Sequence, residues 1–175
     1  MKKKNTLLIV ILILFAMIIV PWGDIYDSMF NTARSEEDII KIARREILSD
    51  KNEDISIIGS FGYDGAFEGK YAPKKAYWIR YGEKIGLIEF AEDDDKLVYD
   101  GYHKPMKRGN DCYSEVLFNG YTFMSTNEKL ATFMINGEKI AVDSFPFVYY
   151  HKDAPSAVQT ATTEYYFLDK DGNEL

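Results

Sequence analysis

The longest apolar run comes first. Residues 7–20 are unbroken hydrophobics, preceded by Lys2, Lys3 and Lys4 and followed by Pro21, Trp22 and Asp24. At about 1.5 Å per residue, a helix over residues 6–22 spans roughly 26 Å, close to the ~30 Å hydrocarbon core of a bilayer. Lys4 is placed to snorkel at one end, and Trp22 and Tyr26 suit the headgroup layer at the other. The same basic-then-apolar order serves a cleaved signal peptide, but cleavage needs small residues one and three positions before the cut. Pro21 and Tyr26 stand three positions before the nearest cuts, after Gly23 and Ser28. The expectation is therefore an uncleaved membrane anchor over residues 1–23, with secretion as the outcome of cleavage. The lysines favour a cytoplasmic N-terminus and place everything after residue 23 outside.

Residues 24–34 read as a stalk, after which the apolar period becomes helical. Ser35 is a natural N-cap with Asp38 three residues on, a variant of the capping box. Glu36, Glu37 and Asp38 load the first turn, and Lys41, Arg44 and Arg45 follow, complementing the helix dipole. Ile39, Ile40, Ala43 and Ile47 share one face and ask for a sheet to cover. The polar run 49–54 ends the helix. From residue 55 the period shortens to two. Residues 55–61, 76–81, 84–90 and 96–99 read as strands, with Gly82-Glu83 and the acidic run 92–95 at turns. Residues 35–103 then form one amphipathic helix over an antiparallel meander.

Residues 104–111 contain Pro105, Gly109 and clustered positive charge, the composition of a linker. Strands resume at 113–118, 121–124, 130–135, 138–142, 145–150 and 163–168, with Asn119-Gly120 and Asn136-Gly137 as hairpin signals. Residues 126–135 also fit a helix capped by Ser125 and stopped at Gly137, but Thr132, Phe133 and Ile135 favour a strand. Residues 112–175 thus read as a small antiparallel β sandwich or half-barrel. The expected class is α+β, mostly β, behind an N-terminal transmembrane helix. Over residues 35–103 the element order is similar to PepSY-like extracytoplasmic domains of bacteria. That likeness is one of order alone and assigns no site residue.

Charge narrows the partners. The chain has 28 acidic against 21 basic residues, and three of the lysines belong to the anchor. Such a balance argues against nucleic acid and against a polybasic grip on anionic lipid; bilayer contact is expected through residues 6–22 only. Cys112 is the single cysteine, so no intramolecular disulfide forms and the exported part relies on an apolar core. Alone, Cys112 reads as a small apolar residue; an intermolecular disulfide or a reactive thiol are the alternatives.

Chemistry is sparse. Cys112 with His103 or His151 is the one conceivable thiol pair, without a nucleophile signature around it. Gly69-Lys70 lacks the spacing of a phosphate loop. Residues 169–174 begin like a calcium loop but place glycine fourth instead of sixth, and residues 92–95 read as a solvated strand connection. No enzyme activity, cofactor or metal is expected.

The aromatic load is heavy, with 13 Tyr, 11 Phe and 2 Trp. Phe61, Tyr63, Phe67 and Tyr71 stand among Gly59, Gly62, Gly65 and Gly69. Glycine-rich backbone reads as loop, and aromatics on a loop tend to grip a partner; a long hairpin folding them back on the core is the other reading. The function expected is a membrane-anchored, extracytoplasmic, non-enzymatic module of a bacterial-type envelope. It would bind an envelope or extracellular protein through those four residues. Binding of cell-wall glycan or a small ligand on aromatic platforms, followed through Trp78, is the alternative, and a Cys-His enzyme the third.

Overall fold

A computed structural model describes residues 31–47, 53–152 and 163–175. The expected anchor and most of the stalk fall on residues 1–30, outside the described residues. No helix among the described residues is long and apolar enough to cross a membrane.

The described chain is mostly β with one helix and antiparallel sheets. A short strand β1 (Thr32–Ala33) leads into helix α1 (Glu36–Ile47), and the meander β2 (Ile55–Phe67), β3 (Lys70–Tyr81), β4 (Lys84–Asp93) and β5 (Lys96–His103) follows. β1 returns to pair with β5, giving a five-stranded sheet in the order β1-β5-β4-β3-β2. Next come β6 (Met106–Lys107), β7 (Cys112–Leu117), β8 (Gly120–Ser125), β9 (Thr132–Ile135), β10 (Glu138–Ala141), β11 (Phe147–Lys152) and β12 (Tyr165–Leu168). They form a four-stranded sheet β11-β8-β7-β6 and a three-stranded sheet β10-β9-β12. Residues 126–135 hold β9 and no helix, as the β-branched and aromatic residues there favour.

Capping starts α1 as its sequence dictates. The Asp38 amide donates to Ser35 Oγ at 3.2 Å, while Asp38 Oδ2 accepts from the Ser35 hydroxyl and from the Arg34 amide. Those bonds, the Arg34 amide first, hold the Asp38 carboxyl below its usual range. Ile39, Ile42 and Ala43 are buried, with Ile40 and Ile47 at the margin, so the buried stripe centres a little away from the expected one. It packs on Tyr77, Ile79, Tyr81, Ile88 and Phe90 of the sheet.

Strand alternation then stacks the layers. The other face of the five-stranded sheet carries Tyr63, Ala76, Trp78 and Leu87, and it meets Tyr113, Leu117 and Met124 of the four-stranded sheet in one apolar cluster. Trp78 Nε1 donates to Thr122 Oγ1 at 3.1 Å across that layer. The four-stranded sheet buries its second face as well, where Cys112, Phe123 and Phe147 meet Phe133, Ile135 and Phe167. The order is helix, five strands, four strands, three strands. Because the middle cluster draws on residues from both sides of 104–111, the α+β meander and the β-rich half share an apolar interior.

Two expectations need correcting. Residues 59–71 are not a loop: β2 and β3 pair in register from Gly59↔Trp78 to Phe67↔Lys70. The turn is Glu68-Gly69, both at positive φ (49° and 75°), a geometry that suits the right-handed strand twist. Second, Leu117 pairs with Gly120, so the tip of that hairpin is Phe118-Asn119 and not Asn119-Gly120. Gly120 belongs to the strand, and glycine is needed there because a Cβ would lie 2.3 Å from the His151 carbonyl oxygen.

Candidate functional site

Two groups of side chains stand out, one buried and one exposed. The buried group begins with two charges at inward strand positions. Lys74 shares its face of β3 with Ala76 and Trp78, and Glu89 shares its face of β4 with Leu87; both charged residues are buried. A third charge joins through a bulge. Glu89 pairs with Gly101 and Phe90 with Tyr99, leaving Asp100 as the extra residue of β5. Bulges re-aim side chains, and here the bulge brings the Asp100 carboxylate onto the Lys74 ammonium.

Glu89 is the hub of this cluster. Its Oε2 lies 3.9 Å from Lys74 Nζ and 2.9 Å from His103 Nε2, and its Oε1 accepts from the Tyr63 hydroxyl. Burial alone would raise the Glu89 carboxyl. Hydrogen bonds from His103 and Tyr63, with the positive charges of His103 and Lys74, outweigh it and hold the group below its ordinary value. The hydrogen bond to Glu89 raises His103 in turn, against the opposing effect of burial. Tyr63 is pushed far above the phenol range, first by burial and then by Glu89, so it donates and does not ionise. Gly65 leaves room for the lysine stem, since a Cβ there would sit 2.7 Å from Lys74 Cδ. An open cleft of about 480 Å³, lined by Tyr63, Lys74, Pro73, Tyr150 and Lys152 among others, leads to this cluster.

The exposed group lies at two hairpin tips. Tyr71 is 69% exposed at the start of β3 and Phe118 57% exposed at the β7–β8 tip. Their rings meet edge to face, centroids 6.5 Å apart and planes at 75°. Asn119, 1% exposed, stands behind them. Its Nδ2 donates to the Tyr71 hydroxyl at 3.5 Å and its Oδ1 accepts from Tyr150 at 2.6 Å. Burial raises the Tyr150 hydroxyl to about 12, keeping it a donor at neutral pH. A buried amide thus ties an exposed ring to the interior.

Strand alternation places Phe61, Tyr63 and Phe67 on one face of β2, where the Phe61 and Tyr63 rings meet with centroids 5.9 Å apart, and sets Tyr71, paired with Ala66, on the other. Tyr63 is buried in the charge cluster, and half-buried Phe61 stacks on Tyr150 with centroids 5.4 Å apart. Phe67 is half-buried at the end of β2, and Tyr71 alone stands out. Trp78 is fully buried and offers no surface platform. Cys112 is buried, bonded to Ser125 Oγ at 3.3 Å and to the Asn110 carbonyl, and burial raises its thiol. None of those bonds joins it to an imidazole. At the C-terminal turn, Asp169 accepts backbone amides from Asp171 and Asn173, as a turn aspartate does. No group of His, Cys, Asp or Glu among the described residues is arranged to hold a metal ion.

Lys74, Glu89, Asp100, Phe118 and Asn119 escaped the sequence reading. Lys74-x-Ala-x-Trp78 and Leu87-x-Glu-x-Ala91 each carry a charge on the apolar parity of a strand, the pattern that marks a buried pair. No protein-family model, curated protein or solved structure matches this chain.

Proposed function

We propose that this protein is a membrane-tethered, extracytoplasmic, non-enzymatic module that binds an envelope or extracellular protein partner through Tyr71 and Phe118. The observation that carries this reading is the fixed pair of exposed rings. Each ring is more than half exposed, yet their edge-to-face contact and the buried Asn119 limit their freedom. Large, rigid, amphipathic side chains held before binding are the residues that dominate protein interfaces, because little rotamer entropy remains to be lost. Rings at 75° form a notch suited to an inserted side chain, whereas a sugar face prefers one flat ring. Tethering rests on residues 1–23, whose basic start and apolar run suit an uncleaved single-pass anchor.

The test compares the wild-type protein with Tyr71→Ala/Phe118→Ala in intact host cells, using a membrane-impermeant amine crosslinker. The expected result is a discrete protein adduct that falls at least tenfold in the variant, with circular dichroism of the purified variant unchanged. An adduct of equal intensity from the variant removes the two rings from the interface. Lysines beyond residue 40 that stay unmodified on intact cells would overturn the extracytoplasmic placement.

A further inference from the structure

We propose that Lys74 and Asp100 are joined by an intramolecular isopeptide bond, formed by the protein itself with Glu89 as the proton relay. This inference stands on the buried charge cluster and is independent of the partner-binding reading. A primary amine and a carboxylate are in contact there, the amine buried and the carboxylate partly open to solvent. The side chains of Lys74, Glu89 and Asp100 are 5%, 8% and 22% exposed. Groups held in contact within a fold react as if at enormous concentration, with effective molarities of about 10⁵–10⁸ M in favourable geometries. The site also favours the product. The Lys74 ammonium, withdrawn from water, carries a desolvation cost; an amide carries no net charge and removes it.

Condensation further requires protons to travel from nitrogen to oxygen, and Glu89 is placed to carry them. It stands on β4, between the strands that hold the two reacting groups, with Oε2 3.9 Å from Lys74 Nζ. The relay first takes a proton from the Lys74 ammonium and passes it to the Asp100 carboxylate, leaving a neutral amine and a neutral acid. The nitrogen lone pair then attacks the carboxyl carbon, forming the C–N bond. Glu89 moves a second proton from nitrogen to the hydroxyl, the C–O bond breaks, and one water leaves through the adjoining cleft. Glu89 ends as the carboxylate it began, and no oxidant or cofactor takes part. Tyr63 and His103 are positioning residues, fixing the two Glu89 oxygens. The product ties β3 to β5 across β4. It would give a chain with a single cysteine the covalent staple that a disulfide cannot.

The experiment is peptide mapping of the full-length protein, purified folded, then denatured, digested and read by mass spectrometry. The expected result is a branched peptide joining the Lys74 and Asp100 segments, lighter than their sum by one water. Lys74→Arg and Asp100→Ala should abolish it, and Glu89→Gln should reduce its yield at least tenfold. Asp100→Asn should restore the same branched mass, because ammonia then leaves in place of water. Linear peptides of full mass from the wild-type protein would overturn the bond and leave an ion pair. Equal yield from Glu89→Gln would overturn the relay. The wild-type result is decisive even where a variant fails to fold.

Discussion

Asn119 shows how one side chain couples interior to surface. Its amide lies between exposed Tyr71 and half-buried Tyr150, so replacing it by alanine removes both hydrogen bonds. Buried polar groups that lose a partner cost about 1–3 kcal/mol, and Tyr150 retains the Asn119 carbonyl at 3.3 Å. Asn119→Ala should therefore lower the urea-unfolding free energy by about 1–2 kcal/mol and weaken partner binding although both rings remain. Full binding by the destabilised variant would show that Tyr71 needs no fixing. His103 makes a second prediction, in pH. Glu89 raises its folded-state pKa above the ordinary 6.5, Glu115 adds to this, and burial and Lys74 oppose it. The stability it contributes is complete below 6.5 and disappears as pH rises through the raised folded value. Glu89, net lowered from 4.5, contributes stability above 4.5 that is lost as pH falls through its lower folded value. Thermal midpoints should be highest between these limits and decline on the alkaline side. His103→Gln should flatten that alkaline decline and, because His103 is also the leading group that holds Glu89 low, weaken the acid limb as well. An unchanged alkaline slope would contradict the coupling.

Among elements, the β2–β3 hairpin separates what the sequence discloses from what it hides. Helix α1 was legible because a cap, a charge gradient and an apolar stripe all agree. The strand cores were legible through alternation, and β9 through its β-branched and aromatic residues. The long hairpin stood only as the alternative to a loop, because Glu68, a residue without turn preference, occupies a left-handed position at φ 49°, and because its glycines mimic a loop. Gly65 is there for close approach by Lys74. Partial burial of Phe61 and Phe67 follows from strand alternation, which a loop would not impose. Left-handed backbone costs an ordinary residue about 1–2 kcal/mol, and Asn tolerates it better. Glu68→Asn should raise the unfolding free energy by about 0.5–1 kcal/mol; a decrease would mean that Glu68 makes a contact worth more than its strain. Lys74 and Glu89 carried a parity signal that went unread, whereas Asp100 was illegible for a different reason. Asp100 reaches Lys74 only through a bulge, and an extra residue in a strand inverts the parity that a period-two reading assigns.

At the scale of the molecule, the described residues form four layers held by three apolar clusters and a network of charge. If Lys74 and Asp100 are bonded, the loop between residues 26 apart in sequence is closed in the unfolded chain as well. A cross-link of that span contributes about 3.5 kcal/mol on the chain-entropy estimate, in a chain whose single cysteine allows no intramolecular disulfide. The exposed rings themselves lie at hairpin tips and not in the layers, so at Tyr71 and Phe118 the proposed binding is separable from stability. The most direct measurement of the function places a photoreactive phenylalanine analogue singly at Tyr71, Phe118 and Tyr166, in full-length protein in its native host. Tyr166, on the three-stranded sheet, is also exposed and serves as the control. The account predicts one discrete protein adduct from positions 71 and 118 and none from 166. The same adduct from all three positions, or none from 71 and 118, would contradict it.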